Sequence, residues 1–298
     1  MSENLSKDSI WNGGKRPFVS SYGKLMMWFF LISDALTFSG FLAAYGFMRF
    51  RNAEIWPVPE DVFTHFPFLQ GEHPLLFVAL MTFILIMSSV TMVLAVNAGN
   101  KNNKKGVVLW MALTIVGGIT FLGSQAWEWG HFIHGDKGAI KLSSHEVVHV
   151  VDADHKLYSL YDLMNVDKYD GTDHQFLIEE VETAFNARPD LYIKRADRTI
   201  VPHQESEEFF ENSQVVLGAN LTHNEYGHQL FADFFYFITG FHGFHVFSGV
   251  VLLIIIFVNV LKGTYERRGH YEMVEKVGLY WHFVDLVWVF VFTFFYLV

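Results

Sequence analysis

Cysteine is absent from this 298-residue sequence. Disulfides, iron–sulfur clusters, thiolate-bound copper and covalently attached c-type haem all require cysteine, so this chain cannot hold any of these groups. Charged residues are also scarce, at 17% against about a quarter in ordinary soluble domains. Hydrophobic residues make up 51% of the chain instead, and phenylalanine occurs 31 times. This composition is typical of a membrane protein.

Five long apolar stretches are each able to cross a bilayer. A hydrocarbon core of about 30 Å needs roughly 20 apolar residues of helix. Each stretch is apolar on all sides, as in a helix embedded in lipid. We therefore predict an all-α membrane protein with five transmembrane helices, at residues 24–48, 75–96, 107–133, 229–260 and 277–298.

Positive charges are distributed unevenly among the connections. Lysine and arginine crowd the N-terminal tail, the short connection at 101–105 and the connection at 262–268. Cytoplasmic connections of membrane proteins carry such an excess. The pattern therefore predicts a cytoplasmic N-terminus and an extracytoplasmic C-terminus.

The connection between the third and fourth helices is long and acidic. Residues 135–226 contain 18 Asp and Glu against 8 Lys and Arg, which accounts for the formal net charge of −10 of the whole chain. Ordinary connections are much shorter. Apolar runs at 147–151 and 176–178, with a helix pattern at 179–186, predict a small folded extracytoplasmic insert. Residues 1–134 and 227–298 then hold helices 1–3, with the cytoplasmic tail, and helices 4–5.

Seven histidines lie in or beside this insert. Apart from one i, i+4 pair their spacing is irregular, which favours a solvated surface over a metal site. They are His145, His149, His155, His174, His203, His223 and His228.

Polar side chains also interrupt the apolar stretches, where ionisable groups are costly and therefore indicate function. They either form a hydrogen-bonded network that fixes helix packing, or bind a metal or haem. Glu128 and His131 have the Glu-x-x-His spacing of di-metal bundles, but the second such motif is missing. We favour the network, with no catalytic or metal-binding residue. Its predicted members are Gln125, Glu128, His242, His245, Glu275, His282 and Asp285.

Asp34 lies near the middle of the first apolar stretch, about 15 Å from its start at the helical rise per residue. It is either a neutral acid packed between helices or a group that handles protons. His242 and His245 project from one face of their helix, as do His282 and Asp285. We expect these two pairs to face one another.

Several of these polar segments resemble the third subunit of haem–copper terminal oxidases. Residues 241–246 read Phe-His-Gly-Phe-His-Val, and residues 280–288 read Tyr-Trp-His-Phe-Val-Asp-Leu-Val-Trp, like two motifs of that family. Gln125 and Glu128 match its Gln-x-x-Glu, and Glu275 stands where the family usually carries a glutamate. Ser33-Asp34 matches its Ser-Glu with aspartate replacing glutamate. The chain resembles the five-helix bacterial form.

The resemblance implies a non-catalytic subunit of a respiratory oxidase in the bacterial cytoplasmic (inner) membrane. Such a subunit packs beside subunit I in an enzyme that also contains subunit II, and binds no haem or copper itself, because these lie in the partner subunits. It holds structural phospholipids in a cleft between its first two helices and the others. It also supports proton uptake, for which Asp34 occupies the position of the family's buried carboxylate.

Three questions stay open on the sequence alone. The electron donor is cytochrome c or, as in the bo-type branch, ubiquinol. The acidic insert is not part of the family pattern, and either caps the protein or attracts cytochrome c or another respiratory complex. A stand-alone proton-coupled transporter is the alternative class of function, but no inverted repeat is evident. Nothing indicates a nucleic-acid partner.

Overall fold

Five long helices dominate the structure, a computed structural model that describes residues 21–67, 73–168 and 174–297. All five are long and apolar enough to cross a membrane, which confirms the predicted helices. The predicted cytoplasmic tail lies outside the described residues. The helices are α1 (Tyr22–Arg51), α2 (Leu76–Asn100), α3 (Lys104–His134), α4 (Gln229–Leu261) and α5 (Glu272–Phe292), which continues as a π-helical turn at Thr293–Leu297.

Polar side chains define where these helices begin. The Ser21 side chain accepts a hydrogen bond from the Lys24 amide at the start of α1, and Asn103 does the same for Gly106 at the start of α3. Such caps satisfy backbone amides that lack a partner in the first turn. The fifth helix starts at Glu272, five residues before the predicted boundary, because its first turn is polar and a hydropathy criterion excludes it.

The helices pack in an order that the sequence does not reveal. The adjacent helices α2 and α3 form an antiparallel pair, α4 packs on α3, and α5 packs on both α2 and α4. Helix α1 packs on α4 and α5. The predicted lipid cleft between the first two helices and the others is therefore wrong in this form, because α2 belongs to the central bundle and α1 alone lies at its side.

The insert folds around a small antiparallel sheet. Its strands are β1 (Ala139–Lys141), β2 (Val147–Val151), β3 (Tyr192–Lys194), β4 (Ile200–Val201) and β5 (Gln214–Val216), in the spatial order β4-β3-β2-β1-β5. The helix Ile178–Asn186 covers it, close to its predicted range, whereas 176–178 forms no strand. Val148, Val181 and Phe185 belong to a hydrophobic core separate from that of the bundle.

The insert is attached to the connection between α1 and α2 by polar contacts. Lys194 Nζ lies 3.2 Å from Asp61 Oδ2, and His65 Nε2 lies 3.2 Å from Asp136 Oδ1. Gly135 ends α3 with a positive φ of 72°, a conformation that favours glycine. The chain therefore leaves the membrane helix and turns at once into the insert.

Candidate functional site

Asp34 and His245 form an ion-pair contact between α1 and α4. His245 Nε2 lies 3.2 Å from Asp34 Oδ2, and the side chains are only 9% and 17% exposed. His245 Nδ1 lies 2.8 Å from the Phe241 carbonyl oxygen. A carbonyl only accepts, so Nδ1 carries a hydrogen. A hydrogen bond between His245 Nε2 and Asp34 Oδ2 then requires one further proton, which is held on either of these two atoms. The pair is therefore able to hold one shared proton.

Aromatic groups from α1, α4 and α5 surround this pair. The Phe38 and Phe241 rings lie 5.4 and 4.6 Å from the His245 imidazole. Tyr280 donates toward the His245 carbonyl oxygen at 3.2 Å and lies 2.7 Å from Ser248 Oγ. The imidazole is thus held by its own helix and by Phe38 of α1, with Nε2 directed at Asp34.

His242 has a different environment although it lies three residues from His245. It is fully buried, its Nε2 lies 3.1 Å from the Val284 carbonyl oxygen, and its ring packs against Phe121 and Trp288. Among the described residues, its Nδ1 has no hydrogen-bond partner. His242 therefore joins α3, α4 and α5 by packing.

The expected contact between the two i, i+3 pairs is wrong. His282 points toward α2, where Ser89 Oγ lies 2.7 Å from its Nδ1, and the same hydroxyl lies close to the Asp285 carboxyl group. The side chain of His242 instead meets the α5 backbone. The helical period of about 3.6 residues per turn places Val284 on a different face of α5 from His282 and Asp285.

Gln125 and Glu128 lie on the buried face of α3. Gln125 Nε2 donates to the Thr239 carbonyl oxygen at 3.4 Å, and Tyr296 donates its hydroxyl to Glu128 Oε2 at 3.0 Å. Each of these contacts links α3 to another helix. Together with the previous contacts, they show that the predicted network is divided into separate contacts rather than one continuous set of hydrogen bonds.

Glu275 was predicted to be buried, and this is wrong. Its side chain is 37% exposed and forms an ion pair with Lys24, with 2.7 Å between Oε2 and Nζ. Both residues lie in first turns of their helices, because α5 begins earlier than the apolar pattern indicates. Glu275 therefore belongs to the edge of the bundle.

Several partners in these clusters had not been singled out in the sequence. Ser89, Thr239 and Tyr296 each bind a predicted polar residue. The sequence gives little indication of these partners, because serine, threonine and tyrosine are common within membrane helices. Within 21–67, 73–168 and 174–297, no three His, Cys, Asp or Glu side chains are placed to hold a metal ion.

One histidine of the insert departs from the predicted solvated surface. His149 Nε2 lies 2.8 Å from the Glu225 carbonyl oxygen. Burial lowers the pKa of His149 to about 4, although the hydrogen bond to Glu225 partly opposes this shift. Its strand, β2, lies in the middle of the sheet, and the half-buried side chain lines a pocket together with residues of the α1–α2 connection.

Glu225 joins the two ends of the insert. Its carboxylate accepts hydrogen bonds from the amides of Asp136, Lys137 and Gly218. Burial raises the pKa of Glu225, and these amide bonds oppose the increase. One buried side chain thereby satisfies three backbone donors at the point where the insert meets the membrane helices.

A family model described as cytochrome c oxidase subunit III matches residues 2–135 and 219–298. The unmatched residues between these two ranges form nearly all of the insert. The clusters of polar residues in the membrane helices lie entirely within the matched ranges. The family model therefore leaves most of the insert unmatched.

Curated relatives agree with this match. Cytochrome c oxidase subunit 3 of Alkalihalophilus pseudofirmus is 25% identical over 273 residues, which cover 92% of this chain and 85% of the relative. A probable cytochrome c oxidase subunit 3 of Rickettsia conorii is 47% identical over 70 residues, or 23% of this chain and 24% of the relative. The subunit of Synechocystis is 46% identical over 69 residues, or 23% and 29%. This multi-pass chain therefore belongs to the cytochrome c oxidase subunit III family.

Proposed function

We propose that this chain is the non-catalytic subunit III of a respiratory cytochrome c oxidase, which reduces oxygen to water and pumps protons. It stabilises subunit I, holds structural phospholipids and supports proton uptake. The observation that carries the proton role is the Asp34–His245 pair, which needs one shared proton and is only partly enclosed. Haem and copper belong to the partner subunits.

Cytochrome c is the electron donor that we favour over ubiquinol. The support comes from the relatives, which are named as subunits of cytochrome c oxidases. Turnover of the purified complex with each donor decides between them: a complex oxidising ubiquinol but not cytochrome c would place this chain in a bo-type enzyme.

Large apolar side chains on α1 and α4 offer the surface for subunit I and lipid. Leu36 is 70% exposed, and Phe244 and Phe247 are 64% and 56% exposed. These residues lie on the two helices that hold the Asp34–His245 pair. A partner helix or lipid chain on this side covers apolar surface close to the pair, with the N-terminus in the cytoplasm and the insert outside.

Replacing Asp34 by asparagine is expected to leave assembly intact and to slow proton uptake. Asparagine has nearly the same shape but cannot release a proton, so the pair with His245 loses its exchangeable proton. We expect proton uptake to slow between about two- and tenfold, less than for a group in direct proton transfer, because subunit I performs the chemistry. Stopped-flow proton uptake and the number of turnovers before inactivation measure this effect.

A matched substitution separates charge from proton handling. Asp233→Asn removes a half-buried carboxylate elsewhere on α4 and should leave both measurements unchanged. Unaltered uptake and lifetime in Asp34→Asn would restrict Asp34 to helix packing.

The insert offers an acidic surface for a basic cytochrome c. Six exposed glutamates lie on the helix Ile178–Asn186 and on the neighbouring segment 203–211. Phe185 holds the two together, since its ring lies 4.5 Å from His203 and 5.2 Å from Phe210. These glutamates are Glu179, Glu180, Glu205, Glu207, Glu208 and Glu211.

Neutralising part of this surface is expected to slow association with cytochrome c. Glu207→Gln/Glu208→Gln should lower the association rate by about two- to fivefold at low salt, with a smaller effect at high salt, where such charges are screened. Turnover at limiting cytochrome c, as a function of ionic strength, measures it. Glu266→Gln/Glu272→Gln, at the opposite end of the bundle, serves as control. An identical salt dependence in all three proteins contradicts the steering role.

A further inference from the structure

A small cavity lies where α3 meets the α1–α2 connection and the end of the insert. Its volume is about 30 Å³, and it is lined by Glu128, His131, His65 and Tyr226 among mostly apolar neighbours. A water molecule needs roughly 10–15 Å³ of such volume and two to four polar partners. The cavity therefore has room and chemistry for one or two water molecules.

Glu128 supplies the buried end of this cavity. It is only 5% exposed, and its Oε2 already accepts the Tyr296 hydroxyl. Its Oε1 is buried and has no partner within the described part of the chain. An unsatisfied carboxyl oxygen is costly in such surroundings. A water molecule in the cavity would provide the missing hydrogen bond.

Histidine side chains lead from Glu128 toward the insert. His131 follows Glu128 by one helical turn, and its Nδ1 lies 3.2 Å from the Trp127 carbonyl oxygen, so Nδ1 carries the hydrogen and Nε2 is left as an acceptor. The His131 and His65 rings lie 5.3 Å apart. His65 contacts Asp136 and has a side chain 34% exposed, which reaches the surface on the insert side.

We propose that Glu128 is a proton-exchange site that opens toward the insert side of the protein through this cavity and His131. In this step the proton on Oε1 passes to a cavity water, and that water passes one of its own protons to His131 Nε2. The imidazolium then releases the proton to water beside His65. The number of protons is unchanged, and Glu128 becomes a carboxylate that keeps its bond from Tyr296.

The positions of the charged and titratable groups around Glu128 agree with proton exchange toward the insert side. Tyr296 faces Glu128 from the end of α5, and Tyr226 lines the cavity from the end of the insert. Beyond His131 lie His65, Asp136 and Lys168, with 3.6 Å between Lys168 Nζ and Asp136 Oδ1. The residues that α2 contributes, Phe77 and Val78, are apolar. The other titratable side chains that line the cavity, His131, His65 and Tyr226, thus lie toward the insert.

Infrared spectroscopy of the intact oxidase complex tests the proposal. The wild type should show a carboxylic-acid C=O band that disappears in Glu128→Gln and shifts in Tyr296→Phe, which loses the bond to Oε2. On transfer to D2O the wild-type band should move as Oε1–H becomes Oε1–D. His131→Leu should slow this movement about 10²-fold, the lower end of what a positioned proton-transfer group contributes.

His134→Leu is the matched control, because His134 lies on the same helix, is exposed and does not line the cavity. Its rate of exchange should equal the wild-type rate. Exchange in His131→Leu at the wild-type rate would overturn the proposal. The Tyr296→Phe shift assigns the band even if Glu128→Gln fails to assemble, and a wild-type complex with no band responding to Tyr296→Phe also overturns it. Neither result depends on the electron donor or on Asp34.

Discussion

Gly118→Leu is expected to prevent retention of this subunit in the oxidase complex. A Cβ atom at Gly118 would lie 2.5 Å from the Trp281 ring and 2.8 Å from Val250 Cγ2. Gly118 is on α3, so the added side chain would collide with α4 and α5 at once. Overpacking of a well-filled core typically costs about 1–3 kcal/mol. We expect at least the upper end of this range here, because a fully buried tryptophan has no space into which to move.

Gly123→Leu provides the control on the same helix. Apart from its chain neighbours and the backbone of its own helix, no described atom lies within 4 Å of a Cβ added there, so the same gain in volume is directed into lipid or solvent. The amount of this subunit that co-purifies with the haem-containing subunits measures both variants. Normal retention and thermal stability of Gly118→Leu would show that the three helices separate more easily than their packing indicates. Small residues at helix crossings allow close approach in membranes generally.

Acidification is expected to destabilise the insert through His149. Burial lowers its pKa from 6.5 to about 4 in the folded protein. The folded state therefore binds fewer protons than the unfolded state between these pH values, so the stability is fully present above about pH 6.5 and is lost as the pH falls to about 4. A shift of this size corresponds to a loss of about 3 kcal/mol.

Hydrogen exchange of β2 in the full complex, corrected for intrinsic rates, measures this effect. His149→Gln should retain a donor near the Glu225 carbonyl oxygen but lose most of the pH dependence between 6.5 and 4. His155→Asn alters an exposed histidine whose positive φ of 61° asparagine tolerates, and should keep the wild-type profile.

Two neighbouring carboxyl groups, those of Asp136 and Glu225, also change the pH dependence of the stability of the insert, in opposite directions. Burial would raise the pKa of Asp136, but the bond from His65 and the charges of Lys168 and Lys137 outweigh it and lower the pKa. Asp136 therefore adds stability that is lost in acid. The pKa of Glu225 is raised by burial, so its contribution falls as the pH rises. The difference in pH dependence between the wild type and His149→Gln gives the contribution of the histidine alone. An unchanged pH dependence of hydrogen exchange in His149→Gln would contradict its role.

The sequence alone determined the membrane architecture of this protein. Five apolar runs of sufficient length leave little choice of fold, since a backbone in hydrocarbon must satisfy its own hydrogen bonds. The spacing of His242, His245, His282 and Asp285 was specific enough to indicate the family. Both properties are local in the chain, so no knowledge of packing is needed to identify them.

Only the tertiary structure decided which polar groups meet. Asp34 and His245 are 211 residues apart, and their contact depends on α1 packing against α4. The His282 side chain binds Ser89, because the orientation of α5 about its axis is fixed by all its neighbours together. Helical periodicity gives the face on which a residue lies, but the partner of that face is set by packing between distant segments.

The insert shows the same division between what is local and what is tertiary. Its acidity and the approximate position of its helix follow from composition and periodicity. The environment of His149 and the role of Glu225 cannot be predicted in this way. Both depend on strands and connections from different parts of the chain, between residues 55 and 227, that the fold brings together. Burial shifts a pKa according to the surrounding atoms, and those atoms come from parts of the chain that only the fold makes neighbours.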